Sequence, residues 1–297
     1  MESKSGSDEL PECLDVRIHI ATARGIGSTV APRAWYFEDV YGPLLTPRWN
    51  MKSSEDLSPP FLNSAQMRVV DRLMVDDFEI GLIQMMESAG RNLAHLTRER
   101  LLAGDPLGKR IAVLAGPGGN GGGVLVAARR LHGWGAQVSV YLSRPVAALA
   151  PLTQHQARTL QRLAILSATE PVRSPAPRAA FDAVLDGLIG YGLKGPPRGR
   201  TAQLIDWANR QPAAIIALDI PSGIDASSGF VHDPAIRALA TIALALPKRG
   251  LTFPQARECA GELYVADIGV PPELYSRAQL GIKVGPLFAR GDIVRLS

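Results

Sequence analysis

Hydrophobic and polar residues follow a regular pattern from residue 64 to the end of the chain. Apolar residues between positions 82 and 96 recur at helical spacing, which predicts one amphipathic helix whose methionine-rich stripe packs in the core. Further along, short apolar runs alternate with helical segments. The runs predict strands at 111–116, 137–142, 181–190, 213–220, 239–246 and 261–269, and the intervening patterns predict helices at 124–131, 152–163 and 201–210. Strands that alternate with helices indicate an α/β protein, a Rossmann-like three-layer sandwich with a mostly parallel central sheet.

The first 60 residues lack this periodicity. They contain proline, serine, glycine and scattered aromatic residues, which predicts a flexible N-terminal extension at 1–60 before a domain at 61–297. Met51 opens a stretch that resembles a natural beginning, so residues 1–50 are either a translated extension or an over-long start. In either case we expect their removal to leave stability and activity unchanged.

Composition and charge restrict the function only weakly. The net charge of +4 suits an anionic small molecule as well as nucleic acid. No apolar run approaches the ~20 residues of a membrane span, and the N-terminus lacks the apolar core of a signal peptide. Cys13 and Cys259 are too far apart to suggest a disulfide framework, which favours a reducing, cytoplasmic location. The five histidines show no metal-ligand spacing.

A glycine-rich segment, Gly116 to Gly123, lies between a predicted strand and a predicted helix. Its glycines would let the backbone approach a ligand, and the helix N-terminus would offer N–H groups to a phosphate. It contains G-x-G-x-x-G, which alone is a weak signal, and the alternative is a tight turn without a ligand. A dehydrogenase usually places an acidic residue about 20 positions onward, but none occurs between Asp105 and Glu170. This argues against ordinary NAD-dependent hydride transfer.

Two later strands end in carboxylates. Asp186 and Asp219 each follow an apolar run and precede a turn, and Ser222 comes three residues after the second of them. The carboxyl ends of parallel strands form the ligand crevice of an open sheet, so these side chains and Asn120 should converge there. Partial burial could raise a carboxyl pKa toward a useful acid or base value. Alternatively, each aspartate only caps its turn.

Several motifs together resemble the YjeF N-terminal-domain family of NAD(P)H-hydrate epimerases. They are Gly-Pro-Gly-Gly-Asn-Gly-Gly, Asp-Gly-Leu-Ile-Gly, Leu-Lys-Gly-Pro, Asp-Ile-Pro-Ser-Gly-Ile-Asp and Pro-Lys-Arg-Gly-Leu, in the family's order and over roughly residues 62–280. An earlier helix segment, Met-Glu-Ser-Ala-Gly, is similar to another family element. The resemblance implies a stand-alone epimerase domain without the dehydratase module found in some relatives. It implies interconversion of the R and S epimers of hydrated NADH or NADPH at C6, in the repair of nicotinamide nucleotides.

The resemblance also implies roles for individual residues. A potassium ion would be held by Asn120, Asp186 and Ser222, whose oxygen atoms suit a hard cation. Asp219 would be the acid or base, and Lys194 would assist it or bind phosphate, although a solvated surface role is equally compatible with this lysine. Substrate would contact two loops and Asp219: Gly119, Asn120, Gly121, Gly122 and Gly123 in the first, and Gly190, Tyr191, Gly192, Leu193, Lys194, Gly195 and Pro196 in the second. A homodimer is implied, with no nucleic-acid or membrane partner.

Gly123 departs from the family pattern. Relatives usually carry an aspartate there, and Gly119 stands where many have a second asparagine. The loss leaves an alternative reading, a catalytically weak member that acts as a nucleotide-binding or dimerisation scaffold. We expect the site to have room for an aspartate at position 123. The sequence leaves NADHX and NADPHX open as substrates, with Arg144 available for a 2′-phosphate.

Overall fold

The computed structural model of the chain describes residues 59–166 and 180–297. The predicted flexible extension and its proposed removal therefore concern residues that lie almost entirely outside the described part of the chain. The boundary at about residue 60 stays a prediction. Within the described ranges the chain forms seven strands and seven α-helices.

The strands form one sheet in the order β2-β1-β3-β4-β5-β6-β7. Neighbouring strands from β2 to β6 pair in parallel, and β7 pairs antiparallel to β6. The predicted α/β fold with a mostly parallel sheet is thus confirmed. The strands are β1 (Arg110–Ala115), β2 (Gln137–Leu142), β3 (Ala183–Gly187), β4 (Ala214–Leu218), β5 (Ala240–Leu244), β6 (Glu262–Ala266) and β7 (Ile293–Arg295).

Helices cover both faces of this sheet, which is why its strands are nearly continuous apolar runs. In β1, Ile111 and Val113 face the cluster beneath α2, α3 and α4, whereas Ala112 and Leu114 face the cluster of α5. The helices are α1 (Ser64–Asp76), α2 (Leu82–Leu101), α3 (Gly119–Gly133), α4 (Pro151–Arg162), α5 (Gly199–Asn209), α6 (Pro254–Ala260) and α7 (Pro272–Tyr275).

The sequence analysis missed four elements: α1, the short helices α6 and α7, and β7. The start of α1 does carry a readable signal, because Asn63 and Gln66 form a capping box in which each side chain accepts from the other residue's backbone N–H at 2.9 Å. β7 is three residues long. So short a strand leaves too little alternation to recognise.

The order of the strands places one crevice between β1 and β3, the second and third strands of the seven. The chain passes from β1 outward to β2 and then crosses back to β3 on the other side of β1. The connections after β1 and β3 therefore diverge at the carboxyl edge. Such a switch point is where open α/β sheets bind ligands.

Among the described helices, none is long and apolar enough to cross a membrane.

Candidate functional site

The glycine-rich segment is mostly helix rather than loop. Gly118 is the N-cap and α3 begins at Gly119, so only Gly116 to Gly118 form the turn after β1. Gly119 is exposed and Asn120 is half-buried, whereas Gly121, Gly122 and Gly123 are buried. A Cβ on Gly121 would lie 1.9 Å from the carbonyl oxygen of Gly116. Substrate contact by all five residues stays a prediction: Gly119 and Asn120 are accessible at the start of α3, whereas the three buried glycines allow close packing.

Gly123 also differs from expectation. A Cβ there would lie 2.9 Å from Cδ2 of Leu218, and the residue lies inside α3 next to α2. The expectation of free room for an aspartate is wrong, because the leucine methyl would have to move and the carboxylate would be buried.

Asn120 presents an unpaired oxygen at the start of α3. Its Nδ2 donates to the carbonyl oxygen of Leu218 at 3.1 Å, which ties the helix start to the end of β4. Its Oδ1 is buried and has no hydrogen-bond partner in the described structure. A buried acceptor without a partner is uncommon and marks a place where a cation or donor fits.

Asp186, in β3, is fully buried and bound to Ser222. Its Oδ1 accepts from the Ser222 hydroxyl at 2.7 Å and from the Leu188 N–H at 3.1 Å, and its Oδ2 accepts from the Ser222 N–H at 2.8 Å. Burial raises the pKa of Asp186 to about 6, although these hydrogen bonds oppose the rise. The pair therefore joins the end of β3 to the connection after β4.

Asp219 directly follows β4 and has a strained backbone, with φ of 72°. This left-handed conformation is uncommon outside glycine, and it often occurs at functional sites. Its Oδ2 accepts from the Tyr191 N–H at 3.1 Å. A Cβ on Gly190 would lie 3.1 Å from that same oxygen and 3.3 Å from Asn120. Glycine at 190 thus lets the loop after β3 pass between the two side chains.

Lys248 completes this group and was missed as a site residue. Its ammonium group is fully buried and pairs with Oδ1 of Asp219. It also donates to the carbonyl oxygens of Leu244 at 2.8 Å and Leu246 at 3.1 Å, so its three protons are all used. The Pro-Lys-Arg-Gly-Leu motif contains this lysine. Its position, two residues after the predicted apolar strand at 239–246, is the feature of the sequence that could have identified it.

Asp71, on α1, was also missed. It accepts a short hydrogen bond from the Tyr191 hydroxyl. Burial raises the pKa of Asp71, and the bond from Tyr191 and the nearby charge of Lys248 oppose that rise. Burial and the Asp71 charge together hold the pKa of Tyr191 above its usual range. Because α1 was not predicted, no sequence pattern linked Asp71 to the site.

The rest of the loop after β3 lies outside this cluster. Gly192, Lys194, Gly195 and Pro196 are exposed, and Leu193 is half-buried. No hydrogen bond or ion pair of the Lys194 ammonium group is found within residues 59–166 and 180–297. Its assignment to catalysis or phosphate binding stays a prediction.

The fold and the site define a class: a mostly parallel α/β sandwich with a buried, lysine-paired aspartate at the carboxyl edge of its sheet. The model of the YjeF-related protein N-terminus family matches residues 82–250. The chain therefore belongs to that family.

Similar proteins agree with this assignment. The chain is 46% identical over 231 residues to the NAD(P)H-hydrate epimerase of Dehalogenimonas lykanthroporepellens, covering 78% of this chain and 90% of that protein. It is 35% identical to the one of Rhodopirellula baltica, covering 73% and 88%. It is 35% identical to the bifunctional NAD(P)H-hydrate repair enzyme Nnr of Moorella thermoacetica, covering 72% of this chain but 41% of that protein. The crystal structure of yeast ynu0 has the same fold, with a TM-score of 0.66 at 22% identity over 80% of this chain and all of that one.

Proposed function

We propose that this protein is an NAD(P)H-hydrate epimerase, an isomerase that interconverts the R and S forms of hydrated NADH or NADPH. Its family and the names of its most similar relatives support this function. The observation that carries the proposal is the strained Asp219, held by Lys248 and Tyr191 at the edge where Asn120 faces the crevice. The proposed location is the cytoplasm, and the proposed assembly is a homodimer.

The substrate's chemistry defines what Asp219 must do. C6 of the hydrate carries a hydroxyl beside the ring nitrogen, so it is a carbinolamine. The Asp219 carboxylate, paired with Lys248, accepts the hydroxyl proton. The O–H electron pair then forms the C=O bond of an aldehyde, the C6–N bond breaks, and the nitrogen keeps the electron pair of that bond and takes the proton from Asp219. When the nitrogen closes on the opposite face of the aldehyde, the same transfers run in reverse and give the other epimer. Such acid–base catalysis contributes roughly 10²–10⁴-fold.

Backbone and side-chain groups would position the substrate around Asp219. Gly119 and Asn120 lie at the start of α3, where the free N–H groups and the helix dipole favour a phosphate. The loop from Gly190 to Pro196 would cover the opposite side of the crevice. Lys194, which is exposed, would contact a substrate phosphate or assist the proton transfer.

We propose a potassium ion as the cofactor, held by Asn120, Asp186 and Ser222. The unpaired, buried Oδ1 of Asn120 and the buried carboxylate of Asp186 fit a hard monovalent cation. When bound, the ion would supply positive charge that balances Asp186 and attracts an anionic substrate. Among these three residues, Asn120 contributes the one oxygen that has no other partner.

A direct assay tests the function. Purified R and S hydrates of NADH are incubated separately with the protein, and interconversion is followed by chromatography. Asp219→Asn keeps the side-chain volume and removes the proton-accepting carboxylate, so we expect at least a hundredfold loss of rate, about 2.7 kcal/mol, with the melting temperature measured alongside. Wild-type turnover in this variant would refute the acid/base role. No interconversion by the natural protein would favour the scaffold reading.

A further inference from the structure

Tyr191 is held by a carboxylate at each end. Its backbone N–H donates to Oδ2 of Asp219 at 3.1 Å, and its hydroxyl donates to Oδ2 of Asp71 on α1. The half-buried ring packs against apolar residues of the core between these two contacts. A single residue therefore connects α1 to the proposed catalytic aspartate.

The charges around this connection come from three segments. Lys248 pairs with Asp219 and also attracts Asp71, while the two carboxylates repel each other. Arg68, on α1, acts on Tyr191 from the same helix as Asp71. One fully buried cation thus lies near two carboxylates, and Tyr191 contacts both of them.

The backbone before Tyr191 has little freedom to shift. Gly190 lies between Asp219 and Asn120, close enough that even a Cβ would be 3.1–3.3 Å from each. A small movement of the Tyr191 amide would change its hydrogen bond to Asp219. Anchoring the far end of the tyrosine would restrict that movement, and misplacement of about 1 Å in an active site can cost 10²-fold in rate.

We propose that Tyr191 and Asp71 are positioning residues, in which Asp71 fixes the Tyr191 hydroxyl so that the Tyr191 amide orients Asp219 for proton transfer. This inference rests on the proposed epimerase function. It makes α1 a part of the active site, although α1 precedes the region of the family match, residues 82–250.

Three variants test the connection by kinetics: Tyr191→Phe, Asp71→Leu and the double variant. Tyr191→Phe removes the donor of the hydroxyl bond, and Asp71→Leu removes the acceptor with a side chain of similar size. We expect kcat to fall about tenfold in each, with KM changed less than about threefold, because the loop and the ring stay in place. The double variant should be no slower than the singles, since both remove the same interaction.

Tyr264→Phe is the matched control. The Tyr264 hydroxyl also donates to a carboxylate, Oε2 of Glu262 at 2.6 Å, but this pair lies at the start of β6, on the opposite edge of the sheet. Its loss should leave kcat unchanged. Unchanged kcat in Tyr191→Phe and Asp71→Leu, or losses that add in the double variant, would overturn the proposal.

A second measurement separates this inference from the proposed function. Amide hydrogen exchange is followed in peptides that cover residues 188–196. Tyr191→Phe and Asp71→Leu should accelerate this exchange to a similar extent, whereas Tyr264→Phe should not. If the natural protein shows no epimerase activity, the proposed function fails while similar acceleration still supports the positioning contact. Unchanged exchange in both variants would overturn it.

Discussion

Lys248 is the one fully buried lysine among the described residues, and it pairs with the carboxylate proposed to transfer the proton. Neither charge is stable alone in such a place, because desolvation of an unpaired ion costs several kcal/mol. The two residues come from connections that follow different strands, β4 and β5. Their pairing therefore holds the two connections together at the carboxyl edge of the sheet and balances the charge of Asp219.

Lys248→Met should lower the free energy of unfolding by about 3–5 kcal/mol, because Asp219 loses its buried partner. Urea denaturation at neutral pH measures the change. Lys109→Met is the control, since Lys109 precedes β1 at the amino edge and should cost under about 0.5 kcal/mol. Adding Asp219→Asn to Lys248→Met should recover part of the loss. Equal stability of Lys248→Met and the natural protein would contradict the ion pair.

Substitutions at Gly123 test the packing of α3 against its neighbours. Gly123→Ala must displace a methyl group of Leu218, and Gly123→Asp must in addition bury a carboxylate. We expect Gly123→Ala to be neutral or destabilising by up to about 2 kcal/mol and Gly123→Asp to be worse by roughly another 1–3 kcal/mol. Thermal and urea unfolding measure both. An aspartate variant as stable as the alanine one would show that the carboxylate finds a partner.

At the scale of elements, α2 and α3 show why the glycine-rich segment was interpreted as a loop. Glycine is a poor helix former, so Gly119 to Gly123 hid the first turns of α3. For two of these glycines the reason lies in distant elements: a Cβ on Gly122 would lie 2.7 Å from Sδ of Met86 in α2, and one on Gly123 would lie 2.9 Å from Cδ2 of Leu218 in β4. Tertiary contact overrides local propensity here. Asp186 and Asp219 were easier to place, because they end apolar strands.

Another contact between elements predicts a pH dependence. Glu262, at the start of β6, accepts two hydrogen bonds from Arg100 of α2, and these lower the pKa of Glu262 to about 2. Because the folded-state pKa is depressed, this pair stabilises the protein above the unfolded pKa of about 4.3 and is lost as the pH falls through 2.

Glu262→Gln should therefore lower the melting temperature at pH 7 by at most roughly 2–4 °C, since the pair is partly exposed. The difference from the natural protein should shrink as the pH falls from about 5 toward 2. Asp182→Asn is a suitable comparison, because Asp182 at the amino end of β3 lies outside this pair. A difference that stays constant with pH would show that Glu262 acts through packing alone.

At the scale of the whole molecule, the proposed potassium site connects three strand ends. Its residues lie at the start of α3, in β3 and after β4. An ion bound only by the folded state stabilises that state. Replacing sodium chloride with potassium chloride at equal ionic strength should raise the melting temperature by at least about 2 °C.

Asp186→Asn should abolish this potassium effect, while Asp182→Asn at the other end of the same strand should retain it. Thallium- or rubidium-soaked crystals would give an independent answer by anomalous scattering. The absence of a peak near Asn120, Asp186 and Ser222, together with identical melting in the two salts, would refute the site.

The order of helices and strands was predictable because each buried strand is a separate apolar run, and the strand-end rule then placed Asn120, Asp186, Asp219 and Ser222 at one edge. The features that the sequence did not predict depend on contacts between residues far apart in the chain. Asp71 lies 148 residues before Asp219, and no local pattern joins them. The same holds for β7, whose pairing with β6 closes that side of the sheet.

Backbone hydrogen bonds connect Leu62, near the start of the described residues, to the segment that carries Lys248. The N–H of Leu62 donates to the carbonyl oxygen of Pro247 at 2.9 Å, and the N–H of Arg249 donates to that of Leu62 at 2.8 Å, on either side of Lys248. During synthesis, Leu62 and α1 leave the ribosome long before residue 248 exists. Domains of this size gain their native contacts as later segments emerge. The nascent chain must therefore carry α1 without these partners, and the charged cluster assembles only after residue 248 has been made.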